Sequence, residues 1–151
     1  MFEERKTVKE VEEGSKLSPK FNEHGLIPVV TTDSKSGTLL MHAFMNEEAL
    51  RLTIEKKEAH YYSRSRKCIW HKGKTSGFIQ KVDNIFIDDD QDCIWLKVSV
   101  IGNASCHVGY YSCFYREIKF DGKMVKLKFT EKNKVFDPDD VYGDAQNPTI
   151  L

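Results

Sequence analysis

No hydrophobic run in this 151-residue chain approaches the length that crosses a bilayer, which takes about 20 apolar residues. Net charge is missing as well. The 23 Lys+Arg residues balance 23 Asp+Glu, so there is no basic surplus to draw the chain onto nucleic-acid phosphates without sequence preference. Cysteine is sparse, at four. The opening MFEERKTVKEVEEG holds neither an apolar signal core nor a cleavage site, so the expectation is a cytoplasmic protein with no membrane and no nucleic-acid partner. In that compartment cysteines serve as metal ligands, catalytic groups or bystanders rather than as disulfides. Internal repeats, heptads and low-complexity blocks are absent too. What remains is 40% hydrophobic and 11% aromatic, which suits one ordered domain with a single core.

Residues 1–22 are densely charged without a sustained apolar period, and read as a flexible arm or frayed helix. A domain is expected over 23–136, with a surface-lying tail over 137–151. Leu26-Ile27-Pro28-Val29-Val30-Thr31-Thr32 is β-rich, and Pro28, lacking a ladder donor, belongs at an edge or a strand start. Turn residues Asp33–Gly37 lead into a second strand over 38–44, giving a hairpin. Asn46 reads as the N-cap of a helix over 46–58, with Glu47 and Glu48 in its first turn and Lys56 and Lys57 in its last. Strands are expected over 59–63, 78–87, 93–101, 112–120 and 124–129, with Asp121-Gly122 as a two-residue hairpin signal. The fold class is α+β and mostly β: a small antiparallel or mixed sheet with one or two short helices.

Chemistry-bearing residues concentrate in three places. Asp88, Asp90 and Asp92 alternate, so an extended backbone would project all three carboxylates from one face. A hard cation such as Mg²⁺ or Ca²⁺ would relieve their repulsion, while the plainer alternative is a solvated acidic loop. Cys106, His107 and Cys113 lie between Gly-bearing turns. Two thiolates suit Zn²⁺, and an incomplete protein set leaves a position for water; buried core cysteines are the plainer alternative. The basic, hydroxyl-rich stretch Ser63-Arg64-Ser65-Arg66 and Lys72-Gly73-Lys74-Thr75-Ser76-Gly77 suits phosphate, or else forms a solvated hairpin.

These segments also occur in a telling order: Asn46-Glu47-Glu48-Ala49-Leu50, Tyr62-Ser63-Arg64-Ser65-Arg66, Trp70-His71-Lys72-Gly73, Ser76-Gly77, the three aspartates, then Ser105-Cys106-His107 through Ser112-Cys113-Phe114-Tyr115-Arg116. Together they closely resemble the phosphoribosyl-AMP cyclohydrolase family over residues 26–118. The resemblance implies a β-rich, intertwined homodimer acting in the third step of histidine biosynthesis. Its substrate would be a small nucleotide, 1-(5-phosphoribosyl)-AMP, whose adenine ring is opened hydrolytically at N1–C6. It also implies Zn²⁺ on three cysteines shared across the dimer, and Mg²⁺ on the alternating aspartates. Carried over by position, Cys106 and Cys113 are zinc ligands, Asp88, Asp90 and Asp92 magnesium ligands, and His107 the acid/base. Arg64, Arg66, Lys72 and Ser63 are the candidates for holding the substrate's phosphates.

Departures from the family pattern are specific. Asp89 stands where the family's first zinc cysteine usually falls, Lys74 where Glu is usual, and Phe78 where His is frequent. An extra residue precedes Cys106 within Gly102-Asn103-Ala104-Ser105. Cys93 ranks ahead of Asp89 as third zinc ligand, because two thiolates already make the site soft; it needs a bulge or a shifted metal to reach. Two other readings stay open: a related purine cyclohydrolase or deaminase of altered substrate, and a non-catalytic module stapled by metal.

Overall fold

The computed structural model describes residues 1–149; the last two residues of the tail expected over 137–151 lie outside the described residues. Among the described residues eight strands and three short helices make an α+β fold in which strands dominate. Helix α1 (Val8–Glu13) comes first, followed by β1 (Ile27–Asp33) and β2 (Leu39–Met45). Next are α2 (Glu47–Lys56), β3 (His60–Ser63) and β4 (Cys68–His71). Strands β5 (Gln80–Ile87), β6 (Ile94–Val100), β7 (Arg116–Phe120) and β8 (Val125–Phe129) follow, and α3 (Pro138–Tyr142) closes the order. Among the described residues no helix is long and apolar enough to cross a membrane.

The main sheet runs β2-β1-β6-β5, with β1 and β6 parallel and the other pairs antiparallel. Alternation along β1 points Ile27, Val29 and Thr31 inward. Pro28 precedes the ladder with β6, which begins at Val29, so its missing N–H falls at the strand's start as expected. Helix α2 is capped as its sequence dictates: Asn46 Oδ1 accepts from Ala49 N at 2.9 Å, and Lys57 ends it in the left-handed region at φ 56°. Its buried Ala49, Leu50 and Thr53 cover the sheet's core. Thr53 Oγ1 accepts from His60 N at 3.0 Å, tying the helix to β3.

A polar chain threads the core. Thr31 Oγ1 and Tyr61 OH are 2.8 Å apart, and Tyr61 OH donates to Gln80 Oε1 at 2.7 Å. Gln80 Nε2 continues it, donating to Ser105 Oγ at 3.3 Å. Thr31, Tyr61 and Gln80 are fully buried, and burial pushes the Tyr61 hydroxyl above its ordinary range, keeping it a neutral donor.

Residues 1–22 lie against the body instead of forming a free arm. Phe2 and Phe21 pack on the core cluster, and Val11 and Ser18 are buried. At the other end, β7 and β8 form a two-stranded hairpin through Asp121-Gly122, with Gly122 at φ 92°. Pairing of Ile118 with Leu127 and Phe120 with Val125 puts these four on one face, with Phe129 beside them, and all five are exposed.

Candidate active site

The loop after β6 folds back on itself and brings the two candidate zinc cysteines together. Ser105 N donates to Tyr111 O at 3.0 Å and Cys106 N to Tyr110 O at 3.2 Å. Gly109 sits at the bend at φ 105°, where a Cβ would meet Phe136 O at 2.6 Å, so only glycine fits without displacement. The returning limb is pinned twice: Cys113 N donates to Leu40 O at 2.7 Å, and Glu131 accepts from Tyr111 N and Ser112 N at 3.0 Å each.

The Cys106 and Cys113 thiols are neighbours whose titrations are linked, with Cys106 buried and Cys113 on an exposed residue. The neighbouring Cys113 thiol lowers Cys106 to about 6, against burial and with help from backbone N–H groups and Lys72, which favours its thiolate at neutral pH. The neighbouring Cys106, and then partial desolvation, push the Cys113 thiol up, so it keeps its proton although the residue is exposed. Two soft sulfurs at neighbouring positions are a donor set that fits Zn²⁺. His107, next in sequence, is half-buried. Burial and then the Lys72 charge push its pKa down, so the imidazole is a free base at neutral pH.

Lys72 departs from its expected surroundings. It is 4% exposed, and its ammonium donates to Ser105 O at 2.5 Å and lies 4.9 Å from the Trp70 ring centroid. It therefore faces the thiol pair, whereas Arg64 and Arg66 occupy the exposed β3–β4 turn. Arg64 lies over Phe44 with its guanidinium carbon 4.3 Å from the ring centroid. Arg66 Nε donates to Ser63 Oγ at 3.1 Å. The Ser63 hydroxyl thus orients Arg66 in this structure.

The acidic segment is a turn and not an extended strand. Asp88 Oδ1 accepts from Asp92 N and Cys93 N at 2.9 Å each, and Gln91 takes φ 57°. The reversal breaks the expected alternation and gathers Asp88, Asp89 and Asp90, whose carboxylates each offer an oxygen within 4.8 Å of the others. This hard-oxygen set fits a divalent cation such as Mg²⁺. Asp92 stands beside it, with Lys20 Nζ 3.9 Å away. Partial desolvation, and then the Asp90 and Asp88 charges, push the Asp92 carboxyl up. Among the described residues this is the sole such grouping of three or more His, Cys, Asp or Glu. Cys93 belongs to this loop and does not join Cys106 and Cys113 within one chain; burial, then Asp88 and Asp92, push its thiol up.

Two of the departures pack together. Phe78 lies over Gly102, where a Cβ would meet its ring at 2.2 Å, and against Phe136 at a centroid distance of 4.8 Å. Lys74 is exposed. Sequence reasoning missed Glu131, Gln80 and Gln91, whose roles run through partners distant in sequence that no local pattern marks. It also missed the His71–Glu58 pair, 2.8 Å apart, with His60 stacked on His71 at 4.4 Å.

Comparison with known proteins places this site in context. The family model for phosphoribosyl-AMP cyclohydrolase matches residues 41–115, which span α2, the basic turn, the acidic loop and both cysteines. The phosphoribosyl-AMP cyclohydrolase of Rhodopseudomonas palustris (strain TIE-1) is 54% identical over 136 residues, 89% of each chain. That of Agrobacterium fabrum is 50% identical over 136 residues, covering 89% of this chain and 91% of its own. That of Sinorhizobium fredii is 48% identical over 138 residues, 91% of each chain. With such identity along nearly the whole length, the chain belongs to the phosphoribosyl-AMP cyclohydrolase family.

Proposed function

We propose that this chain is a zinc-dependent phosphoribosyl-AMP cyclohydrolase of histidine biosynthesis, hydrolysing the N1–C6 bond of the adenine ring of 1-(5-phosphoribosyl)-AMP. The observation that carries the reading is the loop that folds Cys106 and Cys113 onto neighbouring positions, with His107 beside them and the buried Lys72 ammonium on Ser105 O. Zn²⁺ on these sulfurs, when bound, would supply a water whose pKa falls towards ~7. His107, a free base at neutral pH, accepts a proton as water adds to C6 and returns one to N1 as the C6–N1 bond breaks. The chemistry parallels zinc nucleobase deaminases, which also attack a purine at C6. Here the cleaved bond lies within the ring, so the product stays in one piece.

Arg64 and Arg66, exposed on the β3–β4 turn with Ser63 orienting Arg66, hold the substrate's phosphates. The acidic loop holds Mg²⁺, which when bound would add positive charge for a phosphate oxygen. Lys72 acts on the thiol side of the site: its buried charge favours the Cys106 thiolate.

The working unit is a homodimer. Ile118, Phe120, Val125, Leu127 and Phe129 expose one apolar face of a hairpin that has no third strand, and such a face needs cover. A second copy covering it fits a zinc site completed across the interface, with Cys93 of the partner subunit as the third ligand. Cys106→Ala and Cys113→Ala are expected to abolish ring opening and to lower zinc content. Wild-type turnover in either variant, with no zinc bound, overturns the reading.

A further inference from the structure

The N-terminal segment makes its polar contacts with the acidic loop, and they converge on one residue. Gln91 is 5% exposed and takes a left-handed backbone at φ 57°, a conformation that disfavours any residue with a Cβ unless its surroundings hold it. Its side-chain Oε1 accepts from Ser18 N at 2.7 Å. Its Nε2 donates to Val11 O at 2.9 Å and Lys16 O at 3.2 Å. Its main-chain O accepts from Lys20 N at 2.7 Å. Arg5 adds a clamp on the neighbouring residue, donating to Ser18 O at 2.6 Å and to Asp90 O at 2.8 Å.

These contacts bear on the loop's shape. The turn at Gln91 lets Asp88 Oδ1 cap Asp92 N and Cys93 N, and it crowds Asp88, Asp89 and Asp90 within 4.8 Å. Three like charges at that spacing repel, and an unsupported loop would open to separate them. A cation binding the opened loop would have to repay both the ordering and the left-handed turn.

We propose that residues 1–20 are a strap that holds the acidic loop in its cation-binding shape, with Gln91 as the positioning residue through which they act. The role rests on the reading above that the aspartates hold a divalent cation. It also accounts for a charged segment without apolar period, since the strap is anchored through backbone groups at 11, 16, 18 and 20.

The test uses the full-length protein and Mn²⁺ as the probe, with binding followed by electron paramagnetic resonance. Gln91→Gly keeps the left-handed turn accessible and removes the amide, and Arg5→Ala removes the clamp. Loss of the amide's bonds is expected to weaken Mn²⁺ binding about tenfold or more in Gln91→Gly, and Arg5→Ala a few-fold. Ring opening by Gln91→Gly should need correspondingly more Mg²⁺ and regain the wild-type kcat at saturation. Unchanged Mn²⁺ affinity in both variants, even with a lowered melting temperature, overturns the strap's role and leaves the cation reading standing. Absence of Mn²⁺ binding by the wild-type protein overturns the cation reading, and the strap's role with it.

Discussion

Tyr61→Phe tests the account of how the core supports the site. The hydroxyl is within 2.8 Å of Thr31 Oγ1 and 2.7 Å of Gln80 Oε1 in a region sealed from solvent. The substitution conserves the ring and its contact with Trp70, at a centroid distance of 5.7 Å, so packing is nearly unchanged and the polar loss dominates. Two buried polar atoms lose their partner, each at about 1–3 kcal/mol, for a total of about 2–6 kcal/mol. For a chain of this size that lowers the melting temperature by about 4–24 °C. Gln80→Met removes the acceptor as well, and the double variant should recover at least about 1 kcal/mol relative to the sum of the singles. Gln80 Nε2 also reaches Ser105 Oγ, and Ser105 O takes the Lys72 ammonium, so zinc affinity should fall in parallel. Urea unfolding of the single and double variants reads the coupling. A loss below ~0.5 kcal/mol for Tyr61→Phe, or strictly additive singles, would refute the reasoning.

Acid should destabilise the protein through its histidines. Burial, with the Arg64 charge for His42 and the Lys72 charge for His107, holds His42, His60 and His107 below the ordinary value of 6.5. The unfolded chain therefore takes up protons first as pH falls through 6.5, and stability that is full above that value is lost towards the folded-state pKa values. Thermal melts from pH 8 to pH 5 in one buffer system should decline, with a shallower decline in His60→Gln; a flat profile contradicts the assignment. Ile118→Asp places a charge on the exposed face of the β7–β8 hairpin, and sedimentation should show it shifting dimers to folded monomers. A dimer of undiminished stability would mean that another surface joins the subunits.

Much of the frame could be read before the coordinates. Asn46 marked the start of α2 and Asp33–Gly37 the first hairpin, because each rule is local, while Asp121-Gly122 marked the place of the β7–β8 turn, whose connection from Phe120 to Val125 is four residues rather than two. Gly109 marked the bend that folds the Cys106 and Cys113 segments onto each other. What escaped was non-local. Alternation of Asp88, Asp90 and Asp92 suggested a strand, but Gln91, held by distant backbone groups, turns the chain there. The basic stretch had a solvated hairpin as its plainer reading, and β3 and β4 form one, but the bounds of β4 were not legible because Lys67 reverses the chain at φ 50° without a glycine. Lys72 looked like its exposed basic neighbours, and only the fold shows its ammonium turned to Ser105 O.

The central claim is that the Cys106–Cys113 pair serves a zinc-dependent ring opening, and reconstitution tests it most directly. Metal-stripped protein is titrated with Zn²⁺ and then Mg²⁺, while ultraviolet absorbance follows ring opening of 1-(5-phosphoribosyl)-AMP. The account predicts no turnover before zinc, activity rising to a plateau at about one zinc per subunit, and a further rise with Mg²⁺. Folded protein that stays inactive under every metal condition, or turns over fully while stripped, would contradict it.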